Sequence, residues 1–113
     1  MIIFVRELNL WRMELYFKDK DLFEIVNDPK KRVRQFGALR AKLIMRRLQA
    51  LSSADRPEQL KGLPGRFHEL KGDRRGQWAC DLDQPYRLIF EPKERTGTGD
   101  TIGVVVIEIV NYH

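Results

Sequence analysis

Apolar residues recur along this chain with two different periods, and the period changes near Gly65. In Met13–Lys18 the apolar Leu15 and Phe17 fall on one side, the pattern of a half-buried strand. Leu22, Phe23, Ile25 and Val26 then cluster as in a short helix, with Asp19 or Asp21 available as its cap. Asp28-Pro29 restarts a helix, because the carboxylate accepts the free amide hydrogens of a first turn and proline fits the first helical position. That helix is expected to run to about Leu51. Val33, Phe36, Leu43, Ile44, Leu48 and Leu51 lie along one stripe of it, with Lys31, Lys42 and Arg46 opposite. Arg40 and Arg47 fall inside the apolar stripe. Either the helix breaks or bends near Gly37, the simpler account, or these two lay their stems over the core edge and carry their heads to a rim.

Ala54–Gly65 reads as a linker with room for a helical turn at Pro57–Leu60, and beyond it the period is two. Arg66–Leu70 reads as a strand and Gly72–Gly76 as a glycine-bounded basic turn. Gln77–Leu82 puts Trp78, Cys80 and Leu82 on one face. After the turn Asp83-Gln84-Pro85, Tyr86–Glu91 places Tyr86, Leu88 and Phe90 on one side and Arg87, Ile89 and Glu91 on the other. Glu94–Gly103 is a hairpin loop, and the nearly continuous apolar run Val104–Val110 suits a central strand. The loops between the later strands are too short for crossovers. The order therefore predicts an α+β fold, two N-terminal helices packed on a small twisted, mainly antiparallel sheet. One sheet face would stay available. Residues 13–113 form the expected single domain, with residues 1–12 an extension that adds a strand or lies disordered.

Composition narrows the class. At 113 residues the chain supports one core, and 42% hydrophobic with 33% charged residues is ordinary for a globular protein. No stretch is long enough to span a bilayer, and Met1–Trp11 carries Arg6 and Glu7 where a signal peptide would be apolar. A cytoplasmic protein is expected. Cys80 is the lone cysteine, which excludes an internal disulfide, and its parity with Trp78 and Leu82 favours a buried, inert thiol over a nucleophile. The net charge of +5 is unevenly spread: eight cations and no acid lie between Pro29 and Leu51, so the remainder is net negative. Like charges on neighbouring turns repel, so this run points to a polyanionic or acidic partner; the alternative is a solvated helix face.

Both histidines stand in places rich in further chemistry. His68 lies in Gly65–Trp78 among Arg66, Lys71, Arg74 and Arg75, and His113 ends the chain behind Tyr112. Histidine exchanges protons near neutral pH. Two of them beside fixed cations suit phosphodiester cleavage, which needs proton transfers and stabilisation of a phosphorane-like charge. Two histidines and one cysteine have no recognised metal-ligand spacing, and no metal or other cofactor is expected.

In order, FHELKGDRRGQW (Phe67–Trp78), PYRLIFEP (Pro85–Pro92) and a closing hydrophobic strand ending in NYH (Asn111–His113) resemble the HigB branch of the RelE-type toxins of bacterial toxin–antitoxin systems. VRQFG (Val33–Gly37) leading into KLIMRRLQAL (Lys42–Leu51) fits as well, so the resemblance runs from Met13 to the terminus. It implies a RelE-like fold and a metal-free endoribonuclease that cuts mRNA in the ribosomal decoding site. A cognate HigA-like antitoxin would silence it, and operator DNA would be reached only through that antitoxin. Carried over by residue, the family's functional positions fall on His68, Lys71, Arg87, Asn111, Tyr112 and His113. The family commonly has Asp where this chain has Asn111, which removes a negative charge and a proton acceptor there. The twelve residues before Met13 are a second departure.

Chemically, His68 and His113 are candidates for the two proton transfers. The α-carboxylate of His113 favours its imidazolium form and so the role of acid. Arg87 can hold a phosphate by a two-pronged plane and Lys71 as a point charge. Tyr112 can stack on an unpaired base. Arg66, Arg74 and Arg75, with Lys42 and Arg46 on the basic helix, are the candidate RNA-binding cations. Each has a plain structural alternative: a capping histidine, a frayed chain end, an ion pair of Arg87 with Glu91 or a cross-strand acid. Two other functions compete, a non-catalytic RNA- or ribosome-binding module and a co-repressor acting with a DNA-binding antitoxin.

Overall fold

A computed structural model of the protein describes residues 4–6, 13–95 and 97–111. The strands are β1 (Phe4–Arg6), β2 (Glu14–Phe17), β3 (His68–Glu69), β4 (Trp78–Asp81), β5 (Tyr86–Glu94) and β6 (Thr101–Asn111), and the helices are α1 (Lys20–Asn27), α2 (Pro29–Phe36) and α3 (Ala38–Ser53). Short 3-10 turns at Pro57–Leu60 and Gly72–Arg74 complete the set. The sheet runs β1-β2-β6-β5-β4-β3. Every neighbouring pair is antiparallel except β2–β6, whose chain ends are joined by everything in between, a crossover long enough for parallel pairing. The architecture is mixed α+β, and part of the N-terminal extension, Phe4–Arg6, adds the strand beside β2.

Three helices stand where two were expected. Asp28 does cap α2, accepting from the amides of Lys30 and Lys31, and Asp19 caps α1. The helix begun at Pro29 stops at Phe36, however, because Gly37 adopts φ 83°, closes α2 through its N–H to the Val33 carbonyl and opens α3 through its carbonyl to the Ala41 amide. From α3 the side chains of Ala41, Ile44, Leu48 and Leu51 are buried, whereas α2 buries none. The core joins Ile44, Leu48 and Leu51 to Leu15 and Phe17 of β2, Leu88 and Phe90 of β5, and Val104 and Val106 of β6. Trp78 stacks on Phe90 at 6.1 Å, and Phe67 meets the same ring edge-on at 6.2 Å. Phe90 is thus the aromatic centre of the core.

Boundaries shift where backbone geometry overrides periodicity. The strand expected over Arg66–Leu70 shrinks to His68–Glu69, because Arg66 takes a left-handed φ of 51°. The expected loop Glu94–Gly103 narrows, since β5 runs to Glu94 and β6 starts at Thr101. A register shift between Ile89 and Phe90 leaves Ile107 as an extra residue in β6, so Glu108 pairs with Ile89 and Val106 with Phe90. The face away from the helices is also less open than the sequence pattern implied. Ala79 and Ile89 point there by parity, yet both are fully buried. Arg74 of the β3–β4 connection binds Gln77 and reaches past β4 and β5 to Glu108 of β6, strapping the loop to the sheet. Among the described residues no helix is long and apolar enough to cross a membrane.

Candidate active site

The site begins at a turn that only glycine can make. Gly65 has φ 111°, and a Cβ there would lie 2.5 Å from Arg47 Nε. Glycine thus lets the Arg47 guanidinium lie against the turn, where its Nε donates to the Asp81 carbonyl at 2.8 Å. The Gly65 carbonyl accepts from the Asp81 amide at 2.6 Å. Arg66 follows in its left-handed conformation and lays two nitrogens on the Asp81 carboxylate, Nε at 2.8 Å and Nη2 at 3.3 Å. Asp81 is the register partner of Arg87, and Arg87 Nε lies 3.3 Å from the same carboxylate. One carboxylate therefore holds two guanidinium groups while a third arginine grips its backbone. Hydrogen bonding to Asp81 is the main reason the Arg66 guanidinium holds its proton more firmly than usual.

His68 is tied to this cluster. Its Nδ1 lies 2.7 Å from the Arg66 carbonyl. A carbonyl only accepts, so Nδ1 carries the proton and the lone pair of the neutral ring is on Nε2. His68 pairs with Ala79, two residues along β4 from Asp81, so His68, Asp81 and Arg87 share one face. Strand spacing and rise put the Cα atoms of His68 and Arg87 about 12 Å apart. Arg66 and Arg87 both reach Asp81, which stands on the strand between them. A base on one side and paired cations on the other can bind an anion and accept a proton beside it.

Other sequence candidates lie elsewhere. Lys71 and Arg75 are exposed on the strapped loop next to His68, and Arg74 is committed to Gln77 and Glu108. Asn111 pairs with Tyr86 and is exposed at the end of β6; by alternation it has the parity of Leu88 and Ile109, opposite to Arg87 and its partner Val110. Lys42 and Arg46 are exposed on the side of α3 turned away from Ile44 and Leu48, so the helical layer separates them from His68. Tyr112 and His113 lie outside the described residues. Cys80 is fully buried, and burial pushes its thiol up to about 12, which removes it as a nucleophile.

Arg40 and Arg47, the two misfits of the apolar stripe, both reach the β4–β5 end of the sheet. Arg40 grips Asp83 with two bonds of 2.9 Å while its guanidinium lies 3.4 Å over the Tyr86 ring. That grip holds the Asp83 carboxyl below the usual carboxylate range. Sequence reasoning missed Asp81. The signal was present in the parity of Ala79 and Asp81, which a hairpin closed by Asp83-Gln84-Pro85 turns toward Arg87.

Fold and site together define the class, a small α+β protein whose sheet end gathers arginines around one acid beside a histidine. No protein-family model matches the chain. Toxin HigB-1 of Vibrio cholerae serotype O1 is 35% identical over 80 residues, which span 70% of this chain and 83% of that protein. The chain belongs to the HigB toxin family.

Proposed function

We propose that this chain is the toxin of a type II toxin–antitoxin pair and an endoribonuclease that cuts mRNA on the ribosome without a metal. The observation that carries the reading is the Arg66–Asp81–Arg87 cluster beside a histidine whose Nδ1 donates to the Arg66 carbonyl. Nε2 of His68 removes the proton of a ribose 2′-hydroxyl. The O2′–P bond forms as the P–O5′ bond breaks, giving a 2′,3′-cyclic phosphate and a 5′-hydroxyl, with no water consumed. Arg66 and Arg87, supported by Lys71, take up the charge that grows on the phosphoryl oxygens. His113 supplies the proton to the departing 5′-oxygen, and Tyr112 stacks on a neighbouring base. Lys42 and Arg46 meet ribosomal RNA through the outer side of α3. In this reading a HigA-like antitoxin holds the toxin silent in the cytoplasm, and the pair meets operator DNA through the antitoxin.

The test is primer extension on an mRNA in a reconstituted translation reaction, with naked RNA beside it, using the intact protein and His68→Gln. New ends that need ribosomes and vanish with His68→Gln are expected. Ribosome binding with no new ends from the intact protein would replace this reading with a non-catalytic binding module. Operator affinity that depends on this chain, with translation untouched, would replace it with a co-repressor.

A further inference from the structure

We infer that Asp81 is the positioning residue of the phosphate subsite, holding Arg66 and Arg87 side by side so that a backbone phosphodiester meets both guanidinium groups already aimed. The inference rests on the RNA-cleaving reading above. Every polar group of Asp81 serves this end. Its amide donates to the Gly65 carbonyl at 2.6 Å, its carbonyl accepts from Arg47 Nε at 2.8 Å, and its carboxylate takes Arg66 at 2.8 Å and Arg87 at 3.3 Å. Arginines from α3, from the Gly65–Arg66 turn and from β5 thus converge on one residue of β4.

Charge and exposure fit the role. The Asp81 side chain is 15% exposed and that of Arg66 61%, so the carboxylate sits inside and the cation outside. Arg66 presents its guanidinium at the outer side of the cluster, where a phosphate can meet it. Without the acid the two cations repel and spread over many rotamers. Arg66 also keeps a left-handed φ of 51°, a conformation that persists only where its surroundings hold it. Asp81 holds its side chain and His68 binds its carbonyl, so the same acid sets the histidine through one intervening residue.

The experiment compares Asp81→Asn and Asp81→Glu with the parent in two assays. The first is fluorescence anisotropy of a short 2′-O-methyl oligoribonucleotide, which cannot be cut, across a salt series. The second is single-turnover mRNA cleavage at saturating ribosomes. Asp81→Asn should hold or raise oligonucleotide affinity, since a negative charge has gone, while cleavage falls on the order of 10- to 100-fold from lost aim. Asp81→Glu should restore part of the rate. Wild-type cleavage by Asp81→Asn overturns the inference, and so does a parallel loss of affinity and cleavage that Asp81→Glu does not relieve. If Asp81→Asn does not fold, Arg66→Gln, which keeps the Asp81–Arg87 pair, takes its place. It should cut more slowly and lower the magnitude of the salt slope by about 0.7; an unchanged slope and rate overturns the inference. If the parent cuts no mRNA, the proposed function falls, and the oligonucleotide arm still decides this inference. Arg66→Gln should cost less affinity in the Asp81→Asn background than in the parent, because an unaimed guanidinium contributes less; equal losses in both backgrounds overturn it.

Discussion

Gly65→Ala tests the logic of the site at its narrowest point. The added methyl would stand 2.5 Å from Arg47 Nε and 2.9 Å from both Cδ and Cζ, distances that atoms in contact do not tolerate. The backbone cannot move aside cheaply, since Gly65 holds the Asp81 amide at 2.6 Å. The Arg47 head must therefore leave, breaking its 2.8 Å bond to the Asp81 carbonyl. A hydrogen bond from a charged donor contributes about 2 kcal/mol. Holding alanine at φ 111° costs about 1 kcal/mol more. The total is about 3 kcal/mol, and for a domain of this length that lowers Tm by roughly 12 °C. Urea and thermal unfolding followed by circular dichroism measure it. The decisive form is a double-mutant cycle with Arg47→Ala, in which the methyl has no head to displace. There Gly65→Ala should cost only about 1 kcal/mol, a coupling of about 2 kcal/mol between the sites. Equal costs in both backgrounds would refute the account, because the Arg47 contact would then not be what demands glycine.

Three further outcomes are expected. Arg40 lowers the Asp83 carboxyl from its ordinary value of 3.8, so the ion pair stabilises the fold fully above that pH and its contribution fades as pH falls through the lower folded value; the urea midpoint of the parent should exceed that of Asp83→Asn at neutral pH and converge with it in strong acid, and a gap independent of pH would contradict the assignment. Glu108→Gln should loosen the strap made by Arg74, so that trypsin nicks the loop at Arg75 several-fold faster while the unfolding free energy falls by about 1 kcal/mol or less; unchanged nicking would show that the strap does not restrain the loop. Lys42→Gln with Arg46→Gln should flatten the salt dependence of ribosome binding by about 1.4 in log–log slope, two phosphate contacts' worth, and an unchanged slope would remove α3 from the interface.

His68 and Arg87 were singled out from sequence, and in the fold both stand on one sheet face within reach of the same cluster. The sequence alternative for Arg87, an ion pair with a cross-strand acid, is equally real: Asp81 is that acid. A structural pair and a ligand-holding arginine are compatible here because Asp81 is shared between Arg87 and the largely exposed Arg66.

Local chemistry was enough to announce the elements. Asp28-Pro29 starts α2 because a carboxylate and a proline act on neighbouring amides, and alternation from Trp78 to Phe90 marks core faces because side chains in a strand point to opposite sides by turns. These effects operate over a few residues and can be read in a line of text. The site is different in kind. Arg40 meets Asp83 from 43 positions away and Arg47 meets Asp81 from 34, and no period in the sequence encodes those separations. They exist because Gly37 breaks the helix, α3 packs its apolar side on the sheet, and the arginines in its stripe then have nowhere to go but the sheet's end. The same closure brought β2 beside β6 in parallel and pulled the β3–β4 loop over a face that alternation alone left bare. Periodicity reports which side of an element is apolar; which charges meet across elements is decided only when those apolar sides are packed together.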